Sequence, residues 1–245
     1  MTTTQFISDL HLRASRPRIN RLFFDFLERT ASEAEQLYIL GDFFEYWAGD
    51  DDIDDPFNRS IIDAVAKLSS SGVVVYLMHG NRDFLIGEKF CRASGATLLP
   101  DPSLIDLTGS RTLLMHGDTL CTDDVEYQNF RKQVRDPLWQ QQFLSQPLAQ
   151  RKAIIEDLRH RSENEKQMKS MDIMDVTRTS VEAVLRERDY PRLIHGHTHR
   201  PALHHHHVDG RTCERWVLTD WYEHGGYLRS DEQGLRAIRL PAVTD

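Results

Sequence analysis

The sequence predicts a layered α/β fold, and two observations lead to that prediction. Short apolar runs recur along the 245 residues, and several are followed by segments with helical periodicity. Five of these runs also end in Asp, His or Asn, four of them beside a glycine. If the runs are strands of one fold, their carboxyl ends converge on the crevice where open α/β sheets bind ligands. The runs are residues 5–7, 37–40, 73–78, 113–115 and 193–194.

Bulk composition indicates an ordinary globular domain and excludes several other classes. Hydrophobic residues make up 40% and charged residues 28% of the chain, and no apolar run approaches the ~18 residues of a membrane span. The N-terminus lacks a secretory signal, so we expect a cytoplasmic protein. A formal charge of −8 argues against nucleic acid as a partner, and we expect no obligate protein partner. The three scattered cysteines disfavour a disulfide framework and a thiolate zinc site.

The polar residues that follow the five runs are the candidate functional residues. A single His or Asp after a strand is usually a turn residue, but five such events in one chain indicate a shared site. Asp9 and His11 are two apart, so in an extended strand both side chains leave the same face and can share an ion. The same argument applies to His195, His197 and His199, and spacing alone does not decide which of the three are ligands.

The donor set favours a site for two metal ions. With two of those three histidines, the candidates number seven and offer only oxygen and nitrogen donors, which suits Mn²⁺, Fe²⁺ or Zn²⁺. Seven ligands are too many for one small divalent ion and fit two ions that share a carboxylate. The other five candidates are Asp9, His11, Asp42, Asn81 and His116.

A family resemblance joins these motifs. In order along the chain, Asp9-x-His11, Gly41-Asp42, Gly80-Asn81-Arg82-Asp83, His116 and Gly196-His197-Thr198-His199 resemble the signature of the calcineurin-like metallophosphoesterases. The five blocks span nearly the whole chain. The resemblance implies one domain over residues 1–245 with the family's four-layer α/β (α+β) fold. In that fold a central β sandwich of two sheets is flanked by helices, and here a helical cap is expected to be inserted at about residues 125–170.

Longer stretches are similar to one branch of that family, the UDP-2,3-diacylglucosamine diphosphatases of bacterial lipid A biosynthesis. They are ISDLHL, YILGDFFEYWAGDDD, HGNRDFLIG, LLMHGDTLCTDD and LIHGHTHRP. The similarity implies hydrolysis of the pyrophosphate bond of UDP-2,3-diacylglucosamine to UMP and 2,3-diacylglucosamine 1-phosphate, with two divalent ions, usually Mn²⁺. It also implies that Asp9, His11, Asp42 and His199 surround one ion and that Asp42, Asn81, His116 and His197 surround the other. Asp42 would bridge the two ions, and His195 falls outside the ligand block.

Arg82 favours a pyrophosphate substrate on chemical grounds. In many metallophosphoesterases the residue after the ligand Asn is a His that can protonate an alkoxide leaving group, whereas Arg82 remains charged and cannot act as an acid. A phosphate leaving group, whose second pKa is about 6, hardly needs that proton. Arg82 is suited instead to a charge-assisted grip on phosphate oxygens. We expect a hydroxide activated by two metal ions to attack the uridine-side phosphorus. The predicted catalytic residues are Asp9, His11, Asp42, Asn81, Arg82 and His116.

The segment between His116 and His197 predicts a helical hairpin. Trp139 and Phe143, then Leu144 and Leu148, lie four apart in an apolar series that runs to residue 158, and basic residues flank it. The series could pack on the body as core, whereas the resemblance implies a cap that holds two acyl chains. The substrate contacts that the resemblance implies are Asn81, Arg82, Asp124, Ser162, Lys166, Lys169 and His197.

Four further features of the sequence lead to predictions. Residues 131–169 contain nine Lys/Arg against five Asp/Glu, an excess that could meet substrate phosphate or an anionic membrane, so we expect peripheral association with the cytoplasmic face of the inner membrane. The acidic stretch at residues 50–55 is expected to be a solvated loop. The four histidines at 204–207 should alternate between the faces of a strand and bind no metal. Asp118 either orients a ligand histidine or forms a turn.

Two other functions remain open on the sequence alone. A two-metal hydrolase of a soluble nucleotide diphosphate, nucleotide sugar or phosphodiester would use the same ligands but has no need of the apolar series. A binding module that kept the fold without catalysis would not need all seven ligands.

Overall fold

Two β-sheets form the centre of the molecule, whose structure, a computed structural model, describes residues 2–168 and 175–241, with the backbone alone for residues 160–168. The described strands are β1 (Thr4–Ile7), β2 (Gln36–Leu40), β3 (Val74–Met78), β4 (Thr97–Leu99), β5 (Ser103–Leu107), β6 (Ser110–Met115), β7 (Arg192–His195), β8 (Ala202–Val208), β9 (Arg211–Val217), β10 (Gly226–Asp231) and β11 (Gly234–Arg239). One sheet has the order β11-β10-β1-β2-β3-β4 and the other β5-β6-β7-β9-β8. The five apolar runs lie in β1, β2, β3, β6 and β7, as predicted.

The strands that carry the candidate residues run parallel within each sheet. β1 pairs with β2, and β2 with β3, in the parallel sense, with Phe6 opposite Tyr38 and Tyr38 opposite Tyr76. In the second sheet β6 is parallel to β7. Parallel neighbours require a crossover connection, which brings the carboxyl ends of successive strands to the same edge. The residues that follow these strands therefore emerge together.

Four of the described helices start where a side chain caps the first turn. The described helices are α1 (Pro17–Arg29), α2 (Pro56–Ser70), α3 (Glu88–Ser94), α4 (Val125–Val134), α5 (Pro137–Leu144), α6 (Leu148–Met168) and α7 (Arg178–Glu187). The four with such a cap are α2, α4, α5 and α7. Asp55 accepts the N–H groups of Phe57 and Asn58 at the start of α2, and Asp136 caps α5 in the same way, each with a proline at the next position. These caps satisfy backbone donors that the first turn of a helix leaves unpaired.

The layers follow from where the apolar side chains pack. Phe6, Leu40 and Met78 from the first sheet pack against Leu114 and Ile194 from the second, which makes the space between the sheets a core. A larger cluster lies between the six-stranded sheet and helices α1, α2 and α3, and a third lies between the five-stranded sheet and α7. The order helix, sheet, sheet, helix is the four-layer sandwich that the sequence predicts.

The predicted helical hairpin is formed by α5 and α6, which with α4 constitute the cap. Trp139 and Phe143 stack with ring centroids 4.9 Å apart, and Phe143 is buried in the cluster that includes Trp47. Leu138 and Leu144, however, are 68% and 40% exposed. The apolar series is thus divided: one part is core between cap and body, and another part faces outward.

The acidic stretch is not a solvated loop, contrary to the expectation from composition. The buried Arg151 side chain donates to the carbonyl oxygen of Ala48 and to the carboxylate of Asp51. Lys152 Nζ lies 2.7 Å from Asp52, whose side chain is 7% exposed. Two cations of the cap thus pair with this stretch, and we call the contacts of Arg151 and Lys152 with residues 48–55 the cap anchor.

No helix within the described ranges is long and apolar enough to cross a membrane. The four histidines at 204–207 lie on β8, an edge strand of the five-stranded sheet, and alternate between half-buried and exposed as expected. Among the described residues, none of these four belongs to a group that could hold a metal ion.

Candidate metal centre

The candidate ligands lie together at the carboxyl edges of both sheets. Two hydrogen bonds tie the sheets to each other at this point. His116 Nδ1 donates to the carbonyl oxygen of Leu40 at 2.9 Å, and the His197 N–H donates to Asp9 Oδ2 at 2.8 Å. Because the anchored groups are themselves candidate ligands, the same contacts that join the sheets position the site.

One group of ligand atoms consists of Asp9, His11 and His199, which all lie within 4.8 Å of one another. His199 Nε2 is 3.3 Å from Asp9 Oδ1. His11 Nε2 is 3.7 Å from Asp42 Oδ2, so this group reaches the carboxylate of Asp42.

A second group adjoins the first and contains Asp9, Asp42 and His116. His116 Nε2 is 3.7 Å from Asp42 Oδ1, the other oxygen of the same carboxylate. Asn81 Oδ1 lies 3.0 Å from His116 Nε2 and 2.9 Å from His197 Nδ1. All seven candidate ligands are therefore in one place, and Asp42 directs one oxygen toward each group, which is the geometry of a bridging ligand.

The backbone at these positions is unusual. Asp9, His11, Asp42, His197 and His199 all have φ between 50° and 67°, a left-handed conformation that non-glycine residues rarely adopt. Such residues cost about 1–3 kcal/mol each and persist where the surroundings impose them. The chain therefore turns sharply at these five ligands, which follow the three strands β1, β2 and β7, and the turns aim their side chains at a common point.

Gly80 allows one of the closest approaches in the site. A Cβ atom there would clash with the backbone nitrogen and the carboxylate of Asp42. The Asp83 carboxylate accepts the N–H of Gly80 at 2.8 Å and that of Phe43 at 2.7 Å, which fastens the loop after β3 to the loop after β2. Asn81 and Asp42 are consequently held at a fixed distance.

Burial and mutual charge govern the ionisation of the site. Burial, with Asp9 adding to it and His116 opposing it, raises the pKa of Asp42 to about 7. Burial lowers the pKa of His116, but the acidic neighbours, Asp42 first, outweigh burial and raise it to about 9. Burial raises the pKa of Asp9, yet His199 and the other imidazoles hold it well below its usual range. Two buried carboxylates surrounded by imidazoles favour positive charge between them.

The donor chemistry fits divalent metal ions. The Leu40 carbonyl oxygen can only accept, so the proton of a neutral His116 is on Nδ1 and the lone pair of Nε2 faces Asn81 Oδ1, another acceptor. A cation held between these two atoms relieves their repulsion. Nitrogen and oxygen donors without thiolate suit hard and borderline divalent ions. The residues that would hold such ions include Asp9, His11, Asp42, His116 and His199.

Arg82 lies beside this centre with its guanidinium available. Its backbone N–H donates to Asp42 Oδ1 at 2.8 Å, and its carbonyl oxygen accepts from the Trp47 N–H at 3.2 Å. Within residues 2–168 and 175–241, the half-buried guanidinium makes no hydrogen bond or ion pair. A fixed backbone and an uncommitted cationic group beside buried metal ligands suit the binding of a phosphate.

Two aromatic residues that the sequence analysis did not identify cover the ligand imidazoles. Tyr222 stacks on His11 with centroids 5.1 Å apart and an interplanar angle of 21°. Tyr127 lies over His197 at 5.9 Å and 28°. Tyr127 comes from α4 of the cap and Tyr222 from the segment after β9. No local motif connects either to a ligand, so sequence spacing gave no signal for them.

Asp118 joins the cap to the body. It is fully buried and accepts hydrogen bonds from the Tyr127 hydroxyl at 2.6 Å and from Arg131 Nε at 2.7 Å. Burial raises the pKa of Asp118, but His116 and other cations outweigh burial and hold it below its usual range. Its hydrogen bonds go to the cap rather than to a ligand imidazole, and through Tyr127 they reach the ring that lies on His197.

The structure describes the side chains of four of the seven predicted substrate contacts. Asp124 is half-buried and caps α4 by accepting the Tyr127 N–H at 3.1 Å. His197, Asn81 and Arg82 lie in or beside the centre. Lys169 and the side chains of Ser162 and Lys166 lie outside the described residues.

The basic excess at residues 131–169 is largely committed to the body. Arg131 pairs with Asp118, and Arg151 and Lys152 form the cap anchor. Arg135 donates to the carbonyl oxygen of Gly80 at 2.8 Å. Four of the nine cations thus hold the cap in place, which leaves less positive charge for a partner than the count suggests.

Comparison with known proteins gives consistent matches. The family model described as "Calcineurin-like phosphoesterase" matches residues 3–201. A protein of Aromatoleum aromaticum named UDP-2,3-diacylglucosamine hydrolase is 57% identical over 229 residues, which cover 94% of this chain and 93% of that protein. Proteins of the same name from Cellvibrio japonicus and Pseudomonas aeruginosa are 52% and 51% identical, covering 95% and 96% of this chain and 96% and 98% of their own lengths.

Proposed function

We infer the function from the premise that this chain belongs to the calcineurin-like phosphoesterase family, and we propose that it hydrolyses the pyrophosphate bond of UDP-2,3-diacylglucosamine. The products are UMP and 2,3-diacylglucosamine 1-phosphate, and the reaction is a step of lipid A biosynthesis. The observation that carries the proposal is the pair of adjoining ligand groups, which share Asp9 and both lie within reach of the Asp42 carboxylate, with Arg82 beside them. Relatives that match over nearly their whole length support the substrate.

The seven residues Asp9, His11, Asp42, Asn81, His116, His197 and His199 would hold two divalent ions. Bound there, the ions would lower the pKa of a water molecule and stabilise charge on the phosphoryl group. We propose Mn²⁺ because it is the usual metal of the family branch that the sequence resembles, and a donor set of carboxylate, amide and imidazole without thiolate is compatible with it. Metal analysis of the protein purified without added metal tests the identity of the ion.

The residues of this chain orient the diphosphate and limit the access of water. Arg82 grips phosphate oxygens through a guanidinium whose backbone is fixed at both N–H and C=O. A phosphate leaving group needs no proton from the protein, which agrees with an arginine at this position. Tyr222 and Tyr127 close the outer faces of His11 and His197. We propose that the water oxygen becomes attached to the uridine-side phosphorus.

The cap supplies contacts for the acyl chains. Trp139, Ile154 and Ile155 are only partly buried against the body, so each keeps apolar surface that a lipid can cover. A soluble nucleotide sugar has no use for this surface.

We also propose that the protein works at the cytoplasmic face of the inner membrane. Four strongly exposed apolar side chains, Val125, Phe130, Leu138 and Leu144, lie on the adjacent cap helices α4 and α5. Exposed apolar side chains on the cap suit extraction of a lipid from a membrane surface. Co-sedimentation with anionic vesicles at low salt tests this, with Leu138→Glu as the variant expected to bind less. Failure of the unmodified protein to co-sediment contradicts the membrane proposal alone.

The reaction is tested with metal-stripped protein and UDP-2,3-diacylglucosamine in ¹⁸O-water, with and without Mn²⁺. We expect ¹⁸O in UMP only when metal is present. If the label is found in the lipid phosphate instead, the proposed reaction stands, but water attacks the phosphorus on the lipid side. No turnover by protein that binds metal, together with turnover of a soluble nucleotide diphosphate, would contradict the proposed substrate. Asp42→Asn is the inactive control.

A further inference from the structure

A buried chain of hydrogen bonds leads from the edge of the five-stranded sheet to the metal centre. His206, Arg215 and His195 lie on three strands, β8, β9 and β7, that are neighbours in that sheet. Arg215 Nε is 3.1 Å from His206 Nε2, and Arg215 Nη1 is 3.0 Å from His195 Nε2. Arg215 is 6% exposed and His195 is fully buried. Neither has a role in the proposed reaction as described so far.

The guanidinium determines which nitrogen of His195 carries the proton. Arginine has five N–H donors, no acceptor, and remains protonated in proteins. His195 Nε2 must therefore accept from Arg215, and in a neutral ring the proton is on Nδ1. Because Nε2 accepts from the guanidinium, it carries no proton of its own, and the ring is neutral.

The Nδ1–H group has one acceptor, the carbonyl oxygen of Gly196 at 2.8 Å. That carbonyl and the N–H of His197 belong to the same peptide group. The His197 N–H donates to Asp9 Oδ2 at 2.8 Å, and Ser8 Oγ donates to the same oxygen at 2.6 Å. With Oδ2 held by two donors, Oδ1 is the oxygen turned toward His199.

The peptide has no freedom to reach Asp9 in another way. A Cβ atom on Gly196 would clash with Ser8 Oγ and Asp9 Oδ2, so the backbone lies directly against the carboxylate. A Cβ atom on Gly117 would come within 2.7 Å of His195 Nδ1, so the ring is also packed closely on its other side.

We propose that His195 and Arg215 are positioning residues for the metal-binding carboxylate of Asp9. Arg215 fixes the tautomer of His195, His195 holds the carbonyl oxygen of Gly196, and the same peptide group presents its N–H to Asp9 Oδ2. The inference rests on the metal centre of the proposed function but not on its lipid substrate. Groups that orient metal ligands in this way typically change metal affinity by about 10- to 100-fold when they are replaced.

Two substitutions of His195 separate its two hydrogen bonds. In His195→Asn the amide nitrogen occupies the position of Nδ1 and keeps the donor to Gly196, whereas in His195→Gln the amide reaches the position of Nε2 and keeps only the acceptor for Arg215. Both variants are matched in burial and in the removal of the ring. The measurement is Mn²⁺ binding to metal-stripped protein by equilibrium dialysis, together with the melting temperature of each apoprotein.

We expect His195→Asn to bind Mn²⁺ within about threefold of the unmodified protein and His195→Gln to bind it about 10- to 100-fold more weakly, at similar melting temperatures. Equal affinities in the two variants, or weaker binding by the Asn variant, would overturn the proposal. Arg211→Met, on the same strand but in an exposed ion pair with Asp189, is the control and should not change binding.

Nuclear magnetic resonance of ¹⁵N-histidine protein tests the tautomer without any substitution of His195. We expect the Nδ1–H form at His195 in the unmodified protein and a mixture with the Nε2–H form in Arg215→Met. An Nε2–H form in the unmodified protein, or an unchanged Nδ1–H form in Arg215→Met, would contradict the role of the guanidinium. Because neither measurement uses the lipid, failure of the substrate assay with intact metal binding would leave this result unaffected.

Discussion

Replacement of Arg151 by methionine tests whether the acidic stretch anchors the cap. Arg151 is 1% exposed and donates to the carbonyl oxygens of Ala48 and Gln146 and to the carboxylate of Asp51. Methionine keeps most of the aliphatic packing and removes all the donors. We therefore expect Arg151→Met to destabilise the protein through lost hydrogen bonds rather than through a cavity.

The expected magnitude follows from how well each abandoned acceptor can be hydrated. Ala48 is fully buried, and its carbonyl oxygen receives no other described hydrogen bond, so losing its donor costs about 1–3 kcal/mol. The part-buried carbonyl oxygen of Gln146 adds about 0.5–1.5 kcal/mol. The Asp51 side chain is 51% exposed and is hydrated when its partner leaves, which adds about 0–1 kcal/mol. The sum is a loss of roughly 2–5 kcal/mol from a typical stability of about 5–15 kcal/mol.

Urea denaturation followed by circular dichroism measures this loss, and hydrogen exchange shows whether the amides of α5 and α6 lose protection first. Arg59→Met is the matched control, because Arg59 pairs with Asp54 of the same acidic stretch but the pair is solvent-exposed. The Arg59 side chain is 38% exposed and the Asp54 side chain is 82% exposed. The control should cost about 0–1 kcal/mol. If both variants lose the same small amount, the cap anchor does not hold the cap and the reasoning is refuted.

Three further predictions concern the centre and the cap. His11→Ala or Asp42→Ala should abolish turnover and reduce the Mn²⁺ retained on dialysis; near-normal activity in either would contradict the ligand assignment. Gly80→Ala should have the same effect, because its Cβ clashes with Asp42, and a fully active variant would show that the loops can separate. Trp139→Ala should lower kcat/KM at least about tenfold more for the acylated substrate than for bis-p-nitrophenyl phosphate, about 1.4 kcal/mol of selective binding; equal losses would make the Trp139–Phe143 stack core alone.

The layered α/β fold could be predicted from the sequence because five of its strands carry a local signal, whereas the arrangement in two sheets was implied by the family resemblance. Every one of the five apolar runs ends in a polar residue, and parallel pairing then brings those ends together without further information. Asp9 and His11 lie in one ligand group, but the argument from an extended strand was wrong, because β1 ends at Ile7 and both residues are left-handed. Spacing alone could not predict how the candidate ligands group, because left-handed turns at five of them override the alternation of an extended strand.

Local sequence patterns could not predict contacts between segments that are distant in the chain. The acidic stretch was interpreted as a solvated loop from its composition, whereas its partners Arg151 and Lys152 lie about a hundred residues later in the chain. Tyr127 and Tyr222 are likewise joined to their imidazoles only by tertiary structure. His195 illustrates a subtler limit: its sequence position marks it as close to the ligands, but the direction of its hydrogen bonds depends on Arg215 in another strand.

The loop after β2 connects the metal centre to the cap within a dozen residues. It begins with Asp42, which reaches both ligand groups, and its Trp47 N–H is bonded to the carbonyl oxygen of Arg82. Immediately afterwards Ala48 accepts from Arg151, and Asp52 pairs with Lys152. The cap, which carries the proposed surface for acyl chains, and Arg82, the proposed phosphate ligand, are thus both hydrogen-bonded to one short segment of backbone. We therefore expect displacement of the cap to move Asp42 and Arg82 through that backbone, so that loss of the cap anchor would change the specificity of the reaction as well as the stability of the fold.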